Sequence, residues 1–361
     1  SPPLRAAALA FRDGFLAERF SDANGGKTAV RVYDAAALGA VQAYERAQLE
    51  GADFIVGPLL KTAVEEIVPK AGLVPTLALN FVQDQTESAG EPFPEGFYQF
   101  ALWPEDEARE VAEQAAAAGA KTAVVLYPST ADPSTDRGNR VMRSFKTEFE
   151  ALGGRVLGTM SYAPGVQDFS TPIEVLLNLD RSDRRFQRLQ ANLGLPMEFE
   201  PRRRRDVDMI FIGADRTNGL LLAPALRFHF AGDIPTYATS VIYEPGAAGS
   251  DNDLDGIYFP DAPWLVTPTA ESTKLRSTLQ SYWPARAVSD VQFYAMGADA
   301  YRLVDALYSK TEKWPLAGAS GELVLDQIGR IHRDMPLAQF QNGQPVAVKT
   351  EAPSQQLAGT Q

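Results

Sequence analysis

The sequence predicts an α/β fold: two doubly wound lobes with mainly parallel sheets, joined by crossover hinges. Three observations predict it. Short apolar runs closed by glycine or proline recur along the chain, as at Val207 to Ile212 before Gly213 and at Asp53 to Val56 before Gly57-Pro58. Such runs mark strands buried on both faces. They alternate with segments of helical period: Leu221, Leu222, Ala225 and Phe228 share one side of 220–231, and Gly232 suits the end of that helix. Strands alternating with helices close by right-handed crossovers onto a parallel sheet. Finally, 361 residues exceed what one core usually serves, so two lobes are expected.

In chain order, the first element is a helix, Leu4 to Phe20, with Ala7, Phe11, Phe15 and Leu16 as its apolar stripe. No strand precedes it, which is unusual for this fold class. Strands are expected at 29–33, 53–56, 74–79 and 97–101, with helices at 36–50 and 62–71. At Trp103-Pro104 a new series begins, the expected first crossing between lobes. It runs through helix 105–118, strand 122–127, helix 139–152, strand 156–162 and helix 169–179. The acidic first turn of helix 105–118 complements the helix dipole, and Pro172 falls in the first turn of helix 169–179. A charged stretch, 180–205, ends in four arginines. Strands at 234–240 and 254–259 follow, then helices at 272–282 and 290–310. Short strands are expected at 321–325, 330–340 and 345–347, with a turn at Asn342-Gly343. The first lobe is therefore 1–101 with 264–316, its first strand missing. The second is 102–263 with 317–348, and 349–361 reads as a disordered polar tail.

Composition excludes several classes of function. With no cysteine there is no disulfide, thiolate nucleophile or cysteine-held metal. A net charge of -12 argues against general nucleic-acid binding and against a polybasic grip on anionic lipid. No apolar run approaches the ~20 residues of a membrane span. The chain carries no signal peptide, and Ser1-Pro2-Pro3 reads as a start inside a longer protein.

Catalytic groups are few. His229 lies on an apolar helix beside Phe228 and Phe230 and reads as a half-buried packing residue; His332 lies in a strand of mixed charge and reads as exposed. Neither belongs to a triad pattern, and no pair of carboxylates is singled out for glycosidase chemistry. Asp251, Asp253 and Asp255 alternate as calcium ligands do, but the twelve-residue loop with its closing glutamate is absent, so a polar loop is the favoured reading. Gly51 to Leu60 has neither phosphate-loop pattern. No cofactor and no metal are expected.

Ligands of α/β folds bind beyond the carboxyl ends of parallel strands. Asn80, Trp103, Tyr127, Ser129, Asp215, Ser240 and Tyr243 all fall at predicted strand ends and are the candidates for lining an interlobe cleft. The charged stretch is the candidate partner-binding surface, through Asp180, Arg184, Arg185, Arg188, Arg202 and Arg203, because arginine forks pair well with carboxylates. Pairing of Arg202 to Arg205 with Glu198, Glu200, Asp206 and Asp208 is the competing reading of that arginine run.

The order of elements resembles the type I periplasmic-binding-protein fold. The residues are similar to the C-terminal domain of the penicillin-binding-protein activator lipoproteins, the LpoA/LppC family. The matching stretches include Arg12 to Leu16, Gly51 to Leu60, Leu77 to Asn80, Pro104 to Ala108, Phe199 to Arg204, Asp206 to Asp208, Tyr237 to Ser240, Asp253 to Ile257, Pro263-Trp264 and Tyr294 to Tyr301. The resemblance implies an exported domain, tethered to the outer membrane by a lipid outside this chain. It implies that the domain stimulates a bifunctional class A penicillin-binding protein without catalysis of its own. The alternative is a solute-binding receptor that closes on a small polar or amino-acid-like ligand.

Overall fold

The computed structural model describes residues 2–22, 25–82, 93–132, 136–194, 197–284, 291–310 and 313–348. The chain begins with α1 (Pro2–Ser21). Asp34 then caps α2 (Ala35–Leu38), and Gly39, at φ 90°, separates it from α3 (Ala40–Leu49). One expected helix is thus two, because a left-handed glycine cannot continue the helical ladder. Next come β1 (Ile55–Val56), α4 (Lys61–Ile67), β2 (Thr76–Ala78), β3 (Phe97–Phe100) and α5 (Pro104–Ala117). They are followed by β4 (Thr122–Pro128), α6 (Arg137–Ala151), β5 (Arg155–Tyr162), α7 (Ser170–Leu176) and α8 (Leu179–Leu193). Then come β6 (Met209–Ile212), α9 (Arg216–Phe228), β7 (Thr236–Ala238) and β8 (Tyr258–Pro260). The chain continues through α10 (Pro263–Val266), α11 (Ala270–Tyr282), α12 (Val291–Ser309) and β9 (Leu316–Ala317). Last are β10 (Glu322–Leu325), β11 (Arg330–Asp334), β12 (Leu337–Gln341) and β13 (Gln344–Ala347).

The chain divides into two units. The first is Ser1–Glu107, Pro245–Ala247 and Ala262–Met335; the second is Ala108–Glu244, Ala248–Asp261 and the segment from Pro336. The first unit holds a six-stranded sheet in the order β1-β2-β3-β11-β10-β9. Its pairs β1–β2, β2–β3 and β3–β11 are parallel, and β10 and β9 close it antiparallel. Leu77, Phe100, Leu323 and Ile331 from this sheet pack with Phe11, Met296, Ala300 and Leu303 from α1 and α12. The second unit holds a seven-stranded sheet in the order β13-β12-β8-β7-β6-β4-β5. β5, β4, β6, β7 and β8 run parallel, while β12 and β13 form an antiparallel edge. Phe145, Phe149, Phe211, Val125 and Met209 fill the core on one face of it.

The close approach of α1 and α12 explains two of the sequence stretches that carried the family resemblance. A Cβ built on Gly14 meets the backbone of Tyr294, 2.8 Å from its Cα and carbonyl carbon. A Cβ on Gly297 meets Phe15 N at 2.8 Å and the Phe11 carbonyl carbon at 2.9 Å. Only glycine lets the two helix backbones come this near. Further along α12, the wholly buried Asp299 carboxylate accepts from Ala319 N (2.6 Å), Ser320 N (2.7 Å) and the Ser320 hydroxyl (2.5 Å). Burial nonetheless pushes its pKa up, the desolvation outweighing these donors.

Three sequence expectations are corrected. Residues 29–33 form no strand: they have no ladder partner among the described residues, Val32 is exposed, and Arg31 and Tyr33 both donate to Glu50 instead. The expected strand 330–340 is two, β11 and β12, divided at Met335-Pro336 and placed in different sheets. Proline cannot donate to a ladder, so the pairing changes there. As a result, 317–335 and 102–107 belong to the first unit, not to the second lobe as expected. β9 to β11 complete the first sheet through the β3–β11 pair. The turn at Asn342-Gly343 stands as expected, with φ of 52° and 70°. The expected tail at 349–361 lies outside the described residues.

Candidate functional site

In the first unit, the carboxyl ends of β2 and β3 deliver Phe81 and Trp103, and parallel β11 delivers Arg330 and His332 beside them. The Phe81 and Trp103 rings meet edge to face at 4.9 Å, and the His332 ring lies 6.0 and 6.3 Å from them. The Arg330 guanidinium sits over both aromatic rings at 5.7 and 6.0 Å, in cation–π range, and donates to Val82 O. His332 Nδ1 is 2.9 Å from Asp106 Oδ1 and its Nε2 is 3.2 Å from Asp326 Oδ2. The Asp106 carboxylate is buried in the first turn of α5, and the next residue, Glu107, faces the buried Arg333 at 3.7 Å.

The structure corrects the expectation of an exposed His332. Its side chain is only 17% exposed and is clamped between two carboxylates. Asp106 lies more than two hundred residues upstream, so no local pattern announces the pair. The clamp also defines its chemistry. Both imidazole nitrogens face carboxylates, so the ring links two acidic side chains and does not present a free nitrogen to a nucleophile. Of the sequence-derived cleft residues, Trp103 joins this cluster, while Asn80 donates its side-chain amide to Leu59 O at 2.9 Å and ties down the loop after β1.

The second unit places the other five candidates at the carboxyl ends of β4, β6 and β7: Tyr127 within the last two residues of β4, the others beyond the strands. Tyr127 packs partly buried on the core. The Ser129 hydroxyl donates to Asp136 Oδ2 at 2.8 Å, and Asp136 in turn caps α6. Asp215 caps α9 by accepting from Asn218 N at 2.9 Å. Ser240 is buried, and Tyr243 packs against Phe259 and Phe340. Tyr162, which sequence reasoning missed, joins this group: its hydroxyl is 3.4 Å from Gly213 O, and burial together with the Asp215 charge pushes its pKa up. The Asp215 side chain thus serves as a local cap, and the Ser129 hydroxyl supports the Asp136 cap.

The remaining candidates separate cleanly. Asp251 pairs with Arg216 at 2.6 Å, Asp253 with Arg227 at 3.5 Å, and Asp255 accepts from Gly343 N at 2.8 Å, so the three alternating carboxylates diverge. No group of three or more potential metal ligands exists among the described residues. His229 is 6% exposed, caps the end of α9, and lies 3.9 Å from Glu174. Asp180, Arg184, Arg185 and Arg188 lie on α8, with Arg184 paired to Asp180. Arg203 pairs with Asp233 at 2.6 Å and Arg204 with Asp206 at 2.7 Å, which draws Asp206 down to about 2. Arg202 is exposed and donates its backbone N–H to the Ser182 hydroxyl.

The family profile of LppC putative lipoproteins matches residues 3–343. The penicillin-binding protein activator LpoA of Photobacterium profundum is 26% identical over 337 residues, covering 92% of this chain and 53% of that protein. The LpoA of Vibrio vulnificus is 27% identical over 334 residues, covering 90% and 53%. The chain therefore spans about half the length of these curated relatives. Among solved structures, the C-domain of LpoA (YraM) from Haemophilus influenzae, described as a regulator of PBP1A, superposes with a TM-score of 0.68 at 21% identity, covering 95% of this chain and 96% of that one. A putative branched-chain amino acid ABC transporter protein from Rhodospirillum rubrum superposes with a TM-score of 0.70 at 18% identity, covering 95% of each chain. At these identities both structures share the fold.

Proposed function

The chain belongs to the LppC lipoprotein family, and from that premise we propose that it is a non-enzymatic regulatory domain that docks on a bifunctional class A penicillin-binding protein and stimulates peptidoglycan synthesis. The observation that supports this best is the end-to-end match to a solved C-domain described as a regulator of PBP1A, joined to relatives named as activators. The domain works in the periplasm, with the full-length protein tethered to the outer membrane by a lipid outside this chain. Docking acts by differential affinity: the domain binds an active conformation of the synthase more tightly than an inactive one, and the population shifts by that difference. A solute receptor is the second reading, favoured by the superposition on a transporter protein. The local engagement of Asn80, Ser129 and Asp215 weighs against it.

The test is binding of the purified domain to the periplasmic part of a cognate class A penicillin-binding protein, with glycan polymerisation and peptide crosslinking rates measured in parallel. Saturable binding with a rise in either rate is expected. Absence of binding, together with thermal stabilisation by a small amino acid, overturns this reading in favour of the receptor.

A further inference from the structure

α8 is held by one side and presents another. Leu179 and Ser182 are buried, and the Phe186 ring stacks on Phe199 at 4.2 Å, which fixes the rotation of the helix. Arg181, Arg184, Arg185 and Arg188 follow at i, i+3, i+4 and i+7, so they form one stripe on a different, exposed face. With Gln187 and Ala191, all on this one helix, they border an open surface volume of about 800 Å³. Arg184 is paired with Asp180, but Arg181, Arg185 and Arg188 have no ion-pair partner among the described residues. Leu189, about half exposed, follows Arg185 by one turn at the edge of the stripe. The fold thus sorts the arginines that the sequence left together: Arg203 and Arg204 belong to internal pairs, and the α8 stripe is outward.

We propose that the arginine stripe of α8, Arg181, Arg184, Arg185 and Arg188, is the docking face of this domain and takes an acidic polypeptide segment of the synthase. This rests on the activator reading above. Arginine forks recognise carboxylates through paired hydrogen bonds, so a row of four selects glutamate- and aspartate-bearing chain. The stripe is about 10 Å long at the helical rise, comparable with the ~8 Å over which charges are felt at physiological salt. The chain as a whole carries -12. An extended polyanion or a charged membrane would overlap that acidic remainder and be repelled, whereas a short acidic segment meets the stripe alone. The exposed Leu189 supplies an apolar margin for the same contact.

The experiment compares the wild-type domain with R181E/R185E/R188E and R181Q/R185Q/R188Q, measuring affinity for the synthase's periplasmic part at low and physiological salt. Circular dichroism and thermal melting verify the fold of each variant. Exposed ion pairs contribute about two- to fivefold in affinity each, so the glutamate variant is expected to bind at least about tenfold more weakly and the glutamine variant to fall between. Wild-type affinity is expected to drop with salt, and that dependence to flatten in both variants. If the wild-type domain binds and both folded variants bind equally well with unchanged salt dependence, the α8 proposal is overturned while the activator reading stands. If the wild-type domain does not bind at all, both are overturned. Should the glutamate variant melt early, the glutamine variant decides.

Discussion

Replacing Gly14 or Gly297 by alanine tests the packing that unites the first unit. In isolation, alanine favours a helix over glycine by ~1 kcal/mol, so propensity alone makes both changes stabilising. The structure reverses the sign. An added Cβ on Gly14 lies 2.8 Å from Tyr294 Cα and carbonyl carbon, and closer still to its carbonyl oxygen; on Gly297 it lies 2.8 Å from Phe15 N and meets the Phe11 carbonyl. Every one of these atoms is backbone, so neither clash is relieved by a rotamer change. α1 and α12 must part by several tenths of an ångström along a contact lined by Ala10, Ala17, Ala295 and Ala298. Overpacking of this kind costs ~1–3 kcal/mol or more, which outweighs the propensity gain. Each variant is expected to lose about 1–3 kcal/mol net in urea unfolding, seen as a lower midpoint at constant slope. The double variant is expected to lose less than the sum, because helices already parted accommodate the second methyl. Gly219→Ala is the internal comparison: its Cβ meets side-chain ends, Ile242 Cδ1 and Leu254 Cδ2, which can move. If Gly14→Ala and Gly297→Ala prove as mild as Gly219→Ala, the backbone-contact argument is wrong.

Two other perturbations have definite outcomes. His332→Ala removes the link between buried Asp106 and Asp326, and loss of hydrogen bonds to a buried carboxylate is expected to cost about 1–3 kcal/mol in the same urea assay; an unchanged midpoint shows that the clamp contributes nothing. Asp208 Oδ2 accepts from Lys121 N, Thr122 N and the Thr122 hydroxyl, each at 2.9 Å, and the Lys121 N–H bond leads the causes that hold its pKa below the usual carboxylate value. A lowered folded-state pKa contributes stability that is present above the unfolded value of about 3.9 and is lost as pH falls through the folded one. Asp206, drawn to about 2 by Arg204, acts in the same direction. Stability is therefore expected to fall between about pH 4 and about pH 2, and Asp208→Asn to flatten that fall; an identical acid profile in the variant refutes the assignment.

Most of the architecture was legible because its causes are local. Asp34, Asp136 and Asp215 cap the helices that follow them, and Gly213 and Gly57 close the strands at their carboxyl ends. The rewound end of the chain was not legible. Residues 330–340 read as one strand, yet β11 pairs with β3 and β12 with β8. The proline between them marks a break but carries no information about which sheet each half joins.

The candidate site divides along the same line. Sequence pattern alone determined that this is a two-unit α/β protein, that polar residues stand at its strand ends, and that a charged segment follows α7. Periodicity, capping and composition act over a few residues and are written in the order of the chain. Only the tertiary structure decided that His332 lies between Asp106 and Asp326, that Arg203 meets Asp233 while the α8 arginines face outward, and that Gly14 and Gly297 bring two helix backbones together. Most of those pairings join residues tens to hundreds of positions apart, and their geometry is fixed by strand order and helix packing, which no local stretch of sequence contains.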